Sequence, residues 1–265
     1  MGLAARAGAG CNRGVPARPS SFERRERRTL DRLLSRLGLC SRTAAAELVR
    51  AGRVRVAGRV VRNPETWVDP ARERVELDGR PVRAAKPLYL LLNKPKGFLT
   101  SFGDPRARRT VYDLLTDAPA WVFPVGRLDR DTSGLLLLSN DTELSERVSN
   151  PESGPWKRYR VTTKARVDAQ QLAQLEHGLA LDDGPTRPAR ATLIGHRGPT
   201  SVVELELHEG RNRQVRRMFL ALGRPVKELR RVAIGPLELG ALASGKWRAL
   251  TSSELRGLRA ELGAR

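Results

Sequence analysis

Residues 126–139, GRLDRDTSGLLLLS, run a charged turn directly into an apolar stretch. Leu135 to Leu138 show no polar alternation and read as a buried strand, a rigid support for whatever precedes it. What precedes it is Asp129, set between Arg127 and Arg130 and followed by the small Thr132-Ser133-Gly134 step. A carboxylate beside cations keeps its charge at neutral pH, which suits a nucleophile or an electrostatic stabiliser better than a proton donor. A surface turn with Asp129 in a structural ion pair explains the same residues when they are taken alone.

The chain has 265 residues, enough for about two domains with a substantial core. Lysine and arginine number 49 against 29 acidic residues, a formal charge of +20, which points to a phosphate-rich partner and first of all to nucleic acid. No apolar run of about 18 residues occurs, so no membrane partner is expected. Cys11 and Cys40 are the two cysteines, far from any histidine cluster, so neither a disulfide framework nor a metal site is expected, and a reducing compartment, the cytoplasm, is. The amino-terminal stretch lacks the apolar core of a secretory signal, and Arg6 breaks the myristoylation pattern. Residues 1–28 read as a disordered basic tail, and their Arg, Ala and Gly content leaves an organelle transit peptide as the alternative.

Apolar spacing predicts a helix over Thr29 to Leu37 that stops at Gly38, then a second, capped by Ser41, through Val49 to Gly52. Arg53 to Val61 alternates arginine and valine as one strand with a wet basic face, and Asp78-Gly79 marks a hairpin. Residues 29–83 thus form one small module in which Arg42, Arg50, Arg53, Arg55 and Arg59 can share a phosphate-facing surface. Residues 84–87 read as a linker and residues 84–265 as a larger α+β domain. Its expected strands are Leu88 to Leu92, Leu135 to Ser139, Arg158 to Thr162 and Ser201 to Leu207. Its expected helices are Val111 to Leu115, Thr142 to Ser149, Ala169 to Gly178 and Arg213 to Leu222. The chain has no Gly-x-Gly-x-x-Gly and no Walker lysine motif, so a Rossmann or P-loop fold has no support.

The run RLLSRLGLCSRTAAAELVRAGRVRVAGRVV resembles the alpha-L RNA-binding domain of a ribosomal small-subunit protein and of several RNA-modifying enzymes. Four later segments resemble, in order, the signature blocks of the bacterial ribosomal RNA pseudouridine synthases. They are Leu91 to Leu115, opening Leu-Leu-Asn-Lys-Pro; Val125 to Pro151, with its Gly-Arg-Leu-Asp element; Lys157 to Val161; and Glu209 to Phe219, followed by Ile-Gly-Pro-Leu. The resemblance implies a larger domain built on a mixed, mainly antiparallel sheet flanked by helices. It implies Asp129 as nucleophile, Tyr159 as the active-site tyrosine and Arg216 as the cation paired with Asp129. Leu237 is assigned to the floor of the base pocket. Asn150, where the family commonly has histidine, and Thr142, where it has glycine, depart from the pattern without touching the presumed chemistry.

Isomerising uridine breaks the bond from the anomeric carbon to ring nitrogen 1 and remakes it to ring carbon 5, which calls for no cofactor. A uridine in a stacked helix must be extruded to reach such residues. The loop bearing Arg106, Arg108 and Arg109, together with Arg127, Arg211 and Arg213, is expected to hold the phosphates, so binding should weaken as salt rises. The resulting expectation is a monomeric, cofactor-free enzyme acting on ribosomal RNA or an assembling subunit, with large-subunit RNA favoured over small. The rivals are a non-catalytic RNA-binding assembly factor and a DNA-binding module. Against the latter, no helix-turn-helix or zinc finger is recognisable.

Overall fold

The computed structural model describes residues 27–263, so the expected tail lies outside the described residues except for its last two positions. Two compact units divide them. Residues 27–34 with Arg42–Val82 form the smaller, and Ser35–Ser41 with residues 83–263 the larger.

The smaller unit comprises β1 (Arg28–Thr29), the start of α1 (Leu30–Arg36), α2 (Arg42–Arg50), β2 (Val54–Val56), β3 (Arg59–Val61), β4 (Trp67–Val68), β5 (Val75–Leu77) and β6 (Arg80–Pro81). Leu30, Leu33 and Leu34 of α1 and Ala45 and Val49 of α2 are buried at helical spacing, as are Val54 and Val56 at strand spacing. The segment expected as one alternating strand is two. Ala57 (φ +47°) and Gly58 (φ +79°) fold β3 back onto β2, because two consecutive left-handed residues make the turn whose twist suits a hairpin. Asp78 and Gly79 do the same between β5 and β6, as expected. Arg59 lies opposite the buried Val56, whereas Arg55 points to the other face, so the hairpin sets these two arginines on opposite sides.

The larger unit continues with β7 (Tyr89–Lys94), a 3-10 turn (Val111–Leu114), β8 (Phe123–Pro124), β9 (Ser133–Ser139), α3 (Thr142–Ser149), β10 (Lys157–Thr163) and α4 (Ala169–His177). After these come β11 (Ala180–Leu181), β12 (Gly184–Pro185), β13 (Arg190–Arg197), β14 (Thr200–Leu207), α5 (Gln214–Ala221), β15 (Val226–Ile234), β16 (Leu237–Glu238), β17 (Trp247–Ala249) and α6 (Ser252–Gly263). One sheet runs β13-β14-β10-β15-β9-β7-β17, with β8 and β16 added on β9 and β15. Its pairs are antiparallel except β9 with β15, which are parallel.

Alternation along β7 and β9 sorts their leucines to two cores. Leu90, Leu92, Leu136 and Leu138 pack with Val215, Met218 and Phe219 of α5 and Leu175 of α4. Leu91, Leu135 and Leu137 pack with Leu144 and Val148 of α3 and Leu258 and Leu262 of α6. Helices therefore cover both faces, and each fully buried leucine contributes about 1.5–3 kcal/mol. The α3 start is fixed by Asp141, whose carboxylate accepts from Leu144 N at 3.1 Å. The helix expected at Val111 to Leu115 is the 3-10 turn, and the helix expected from Arg213 begins at Gln214.

Candidate active site

The turn carrying Asp129 is pinned from below by a glycine and a lysine. Gly134 has φ +105°, and a Cβ there would collide with the carbonyl oxygen of Arg231 on the parallel neighbour β15. Only glycine lets the two backbones come this close, which explains the Thr132-Ser133-Gly134 step. Lys94, at the end of β7, is fully buried, and its ammonium donates to the carbonyls of Pro95 (3.2 Å), Asp129 (3.0 Å) and Thr132 (2.8 Å). Burial pushes its pKa down to about 8, with the Asp129 and Asp131 charges opposing the shift and Arg231 adding to it. The following loop closes over the same turn. Gly97 N donates to Arg130 O at 2.7 Å, and the Thr100 hydroxyl donates to Leu128 O at 2.7 Å.

So held, Asp129 opens into a cleft of about 480 Å³, lined among others by Thr100, Arg127, Tyr159, Leu207, Val215 and Leu229. Its side chain keeps 31% of its accessible surface, so the carboxylate is partly sheltered yet reachable. Tyr159, on β10, is 9% exposed and presents the remainder to the cleft. Arg213 enters from the start of α5 with φ +49°, a left-handed conformation uncommon for a side-chain-bearing residue. That backbone brings its guanidinium to 3.8 Å from the Asp129 carboxylate and to 3.0 Å from both oxygens of Asp131.

The expected ion pair of Arg216 with Asp129 is not the one formed. Arg216 places its Nε 3.2 Å from the Asp131 carboxylate and donates from Nη2 to the Asp131 carbonyl at 3.0 Å. The reason is helical geometry: Arg213 and Arg216, three residues apart, lie on the same face of the helix start and meet the same carboxylate. The Asp131 carboxyl is consequently held below the usual carboxylate range, chiefly by its hydrogen bonds from Arg213. Leu237 is also elsewhere. It is fully buried among Leu91, Leu135 and Leu137, on the sheet face opposite Tyr159, and the apolar wall of the cleft is instead Leu207, Val215 and Leu229.

The arginines expected to meet phosphate are exposed or half-buried, but several already have partners. Arg211 hydrogen-bonds Glu209, Asp183 and the Gly184 and Pro185 carbonyls, and so braces β11 and β12 against the start of α5. Arg108 pairs with Asp104 at 2.7 Å and Arg109 lies over the Phe98 ring, while Arg106 and Arg127 are exposed. In the smaller unit Arg42 pairs with Asp31 and Arg53 with Asp78, while Arg50, Arg55 and Arg59 face solvent. Unforeseen members of the site are Asp131, Lys94, Glu209 and Leu229. Asp131, Lys94 and Glu209 sit inside quoted motifs, Asp131 as a second charge in the Asp129 turn; Leu229 lies in an arginine-rich strand that carries no such mark.

A half-sheltered carboxylate, a tyrosine and an arginine pair at the rim of a mixed sheet, in a chain that also carries a small separate module, define an RNA-modifying enzyme when set against known proteins. Residues 88–221 match the RNA pseudouridylate synthase family and residues 28–73 the S4 domain. The chain belongs to the RNA pseudouridylate synthases, and it is an RNA pseudouridine synthase, an isomerase. It is 41% identical to an uncharacterized RNA pseudouridine synthase of Aquifex aeolicus (strain VF5), over 86% of this chain and 92% of that one. It is 39% identical to the ribosomal large subunit pseudouridine synthase B of Bacillus subtilis (strain 168), over 87% of this chain and 95% of that one. A crystal structure of a pseudouridylate synthase superposes with a TM-score of 0.63 at 31% identity, covering 87% of this chain and 99% of that one. Among the described residues no helix is long and apolar enough to cross a membrane.

Proposed function

We propose that this enzyme isomerises a specific uridine of ribosomal RNA, that of the large subunit, with Asp129 as the group that attacks or stabilises the detached sugar or base. The observation that carries the proposal is the placing of Asp129: anchored through its own carbonyl by Lys94, yet with its carboxylate opening into a cleft large enough for a nucleotide. Tyr159 offers the uracil a ring face and a hydroxyl, and Leu229 packs beneath. Arg213 holds positive charge 3.8 Å from the Asp129 carboxylate. The target nucleotide leaves its stack to enter, at a cost of a few kcal/mol that phosphate contacts offset.

In this reading the S4 module, with exposed arginines on both faces of its hairpin, holds the RNA, and residues 84–265 do the chemistry. The protein works as a monomer in the cytoplasm, on free RNA or on an assembling particle. The large-subunit target is supported by the name of the Bacillus subtilis relative and by the basic loop at Arg106 to Arg109. The test is Asp129→Asn: pseudouridine formation in ribosomal RNA is abolished while RNA affinity stays within a few fold. A wild-type protein that makes no pseudouridine in any ribosomal RNA would leave the reading without support and favour an RNA-binding assembly factor.

A further inference from the structure

A second cleft, of about 490 Å³, adjoins the first and shares with it a wall made by Gly126, Arg127, Tyr159 and residues 209–211. Its charge is lopsided: Arg127, Lys157, Arg187, Arg211 and Arg231 line it against the single carboxylate of Glu209. That carboxylate is already taken, since it accepts from Arg187 N at 3.0 Å, from Arg211 Nε at 3.2 Å and from the Gln214 amide.

Arg231 is the unusual member. It stands on β15 in register with Tyr159, is only 4% exposed, and makes one hydrogen bond, from Nε to the Leu135 carbonyl at 2.8 Å. A guanidinium carries five N–H donors. The buried Nη2 has no protein acceptor, and no carboxylate among the described residues lies within ion-pair distance of this side chain. The nearby buried charge of Lys94 repels it. A buried cation left this way is costly unless something anionic completes it.

We infer that the second cleft is a subsite for a phosphodiester of the substrate RNA, the one next to the nucleotide whose base enters the first cleft, and that Arg231 receives it. With Nε held by the Leu135 carbonyl and Nη2 sealed in, Nη1 is the donor left for a phosphate oxygen, and Arg187 and Arg127 at the rim supply the longer-range attraction. The shared wall at Tyr159 puts the subsite where the backbone of a flipped nucleotide would continue. The inference rests on the target nucleotide occupying the Asp129 cleft, as proposed above.

The test uses the full chain and Arg231→Met, which keeps the bulk of the side chain and removes the charge. In phosphate-free buffer the variant melts at or above the wild-type temperature, because an unanswered buried charge has gone. Saturating inorganic phosphate raises the wild-type melting temperature by about 2–4 °C and leaves the variant unmoved. For a large-subunit ribosomal RNA transcript, the variant Kd rises roughly tenfold and the slope of log Kd against log salt falls by about 1. Arg187→Ala, at the solvent rim, shifts Kd and slope in the same direction by less, and it reports on the subsite even if Arg231→Met fails to fold.

The inference is overturned if Arg231→Met melts many degrees lower while Arg187→Ala binds RNA with wild-type affinity and salt slope, which would make Arg231 a brace between strands. It is equally overturned if the phosphate response disappears while RNA binding stays unchanged, since the site would then serve a free anion. These binding measurements need no turnover, so an Asp129→Asn enzyme that still formed pseudouridine would refute the catalytic proposal without moving any of them.

Discussion

The two clefts that meet at Tyr159 handle charge in opposite ways. In the first, the arginines that α5 brings toward Asp129 are answered before any substrate arrives, Arg213 and Arg216 both by Asp131. In the second, Arg231 is buried with one hydrogen bond and no carboxylate. Groups that must be aimed are locked by neighbours, which is what preorganisation requires, whereas a group that must grip is left short of partners until the ligand supplies them. Surface pairs of this kind contribute little to stability, so the ion pairs of the first cleft are better understood as positioning devices.

The seam between the clefts is the place to break the contrast outright. Gly134→Ala should force β9 away from β15 and cost more than the usual 0.5–3 kcal/mol of a point substitution, with loss of the cooperative unfolding transition of the larger unit in urea as the measurement. Next in size is Asp131→Ala, which frees both arginines. Tritium release from RNA labelled at uridine carbon 5 should slow by about 10²-fold, the scale expected when a reacting group is misplaced by about an ångström, while RNA affinity changes far less.

Leu229→Ala and Leu237→Ala then separate wall from core. Both lose about 2–5 kcal/mol of stability, but only the Leu229 variant should also impair turnover at a temperature where each is folded. The smallest effect concerns Lys94, whose folded pKa of about 8 lies below its ordinary 10.5. Between those values the unfolded chain holds a proton that the folded one has shed, so this group makes the protein more stable as pH rises through that window, by on the order of 3 kcal/mol at most. Urea midpoints at pH 7 and pH 9.5 should show the rise in the wild type and lack its Lys94 component in Lys94→Met.

Much of this was legible in the residues, and the failures are instructive. The leucine run, the Asp78-Gly79 hairpin and the helix Thr142–Ser149 followed from local pattern, since each is fixed by burial period or turn chemistry within a few residues. The Ala57-Gly58 turn was passed over because alanine rarely takes a positive φ. Strand β15 escapes local pattern because four charged residues among nine mask its buried positions. Helix α6 was missed although Leu255, Leu258 and Leu262 carry a helical period. In the site, Asp129, Tyr159 and Arg216 came from motifs, but the partner of Arg216 is decided by side chains that meet across 85 residues of sequence. No local pattern encodes which of two neighbouring carboxylates a distant guanidinium selects.

The parallel pairing of β9 with β15 sets a schedule as well as a shape. Asp129 leaves the ribosome well before Arg213, Arg216 and the strand at Arg230–Arg231 exist to flank it. Loop-closure entropy makes such distant pairings the late and slow step of folding. An unfinished chain therefore carries Asp129 without the guanidinium and the neighbouring strand that flank it once folded, and the cleft is complete only after the residues through Arg231 have been made.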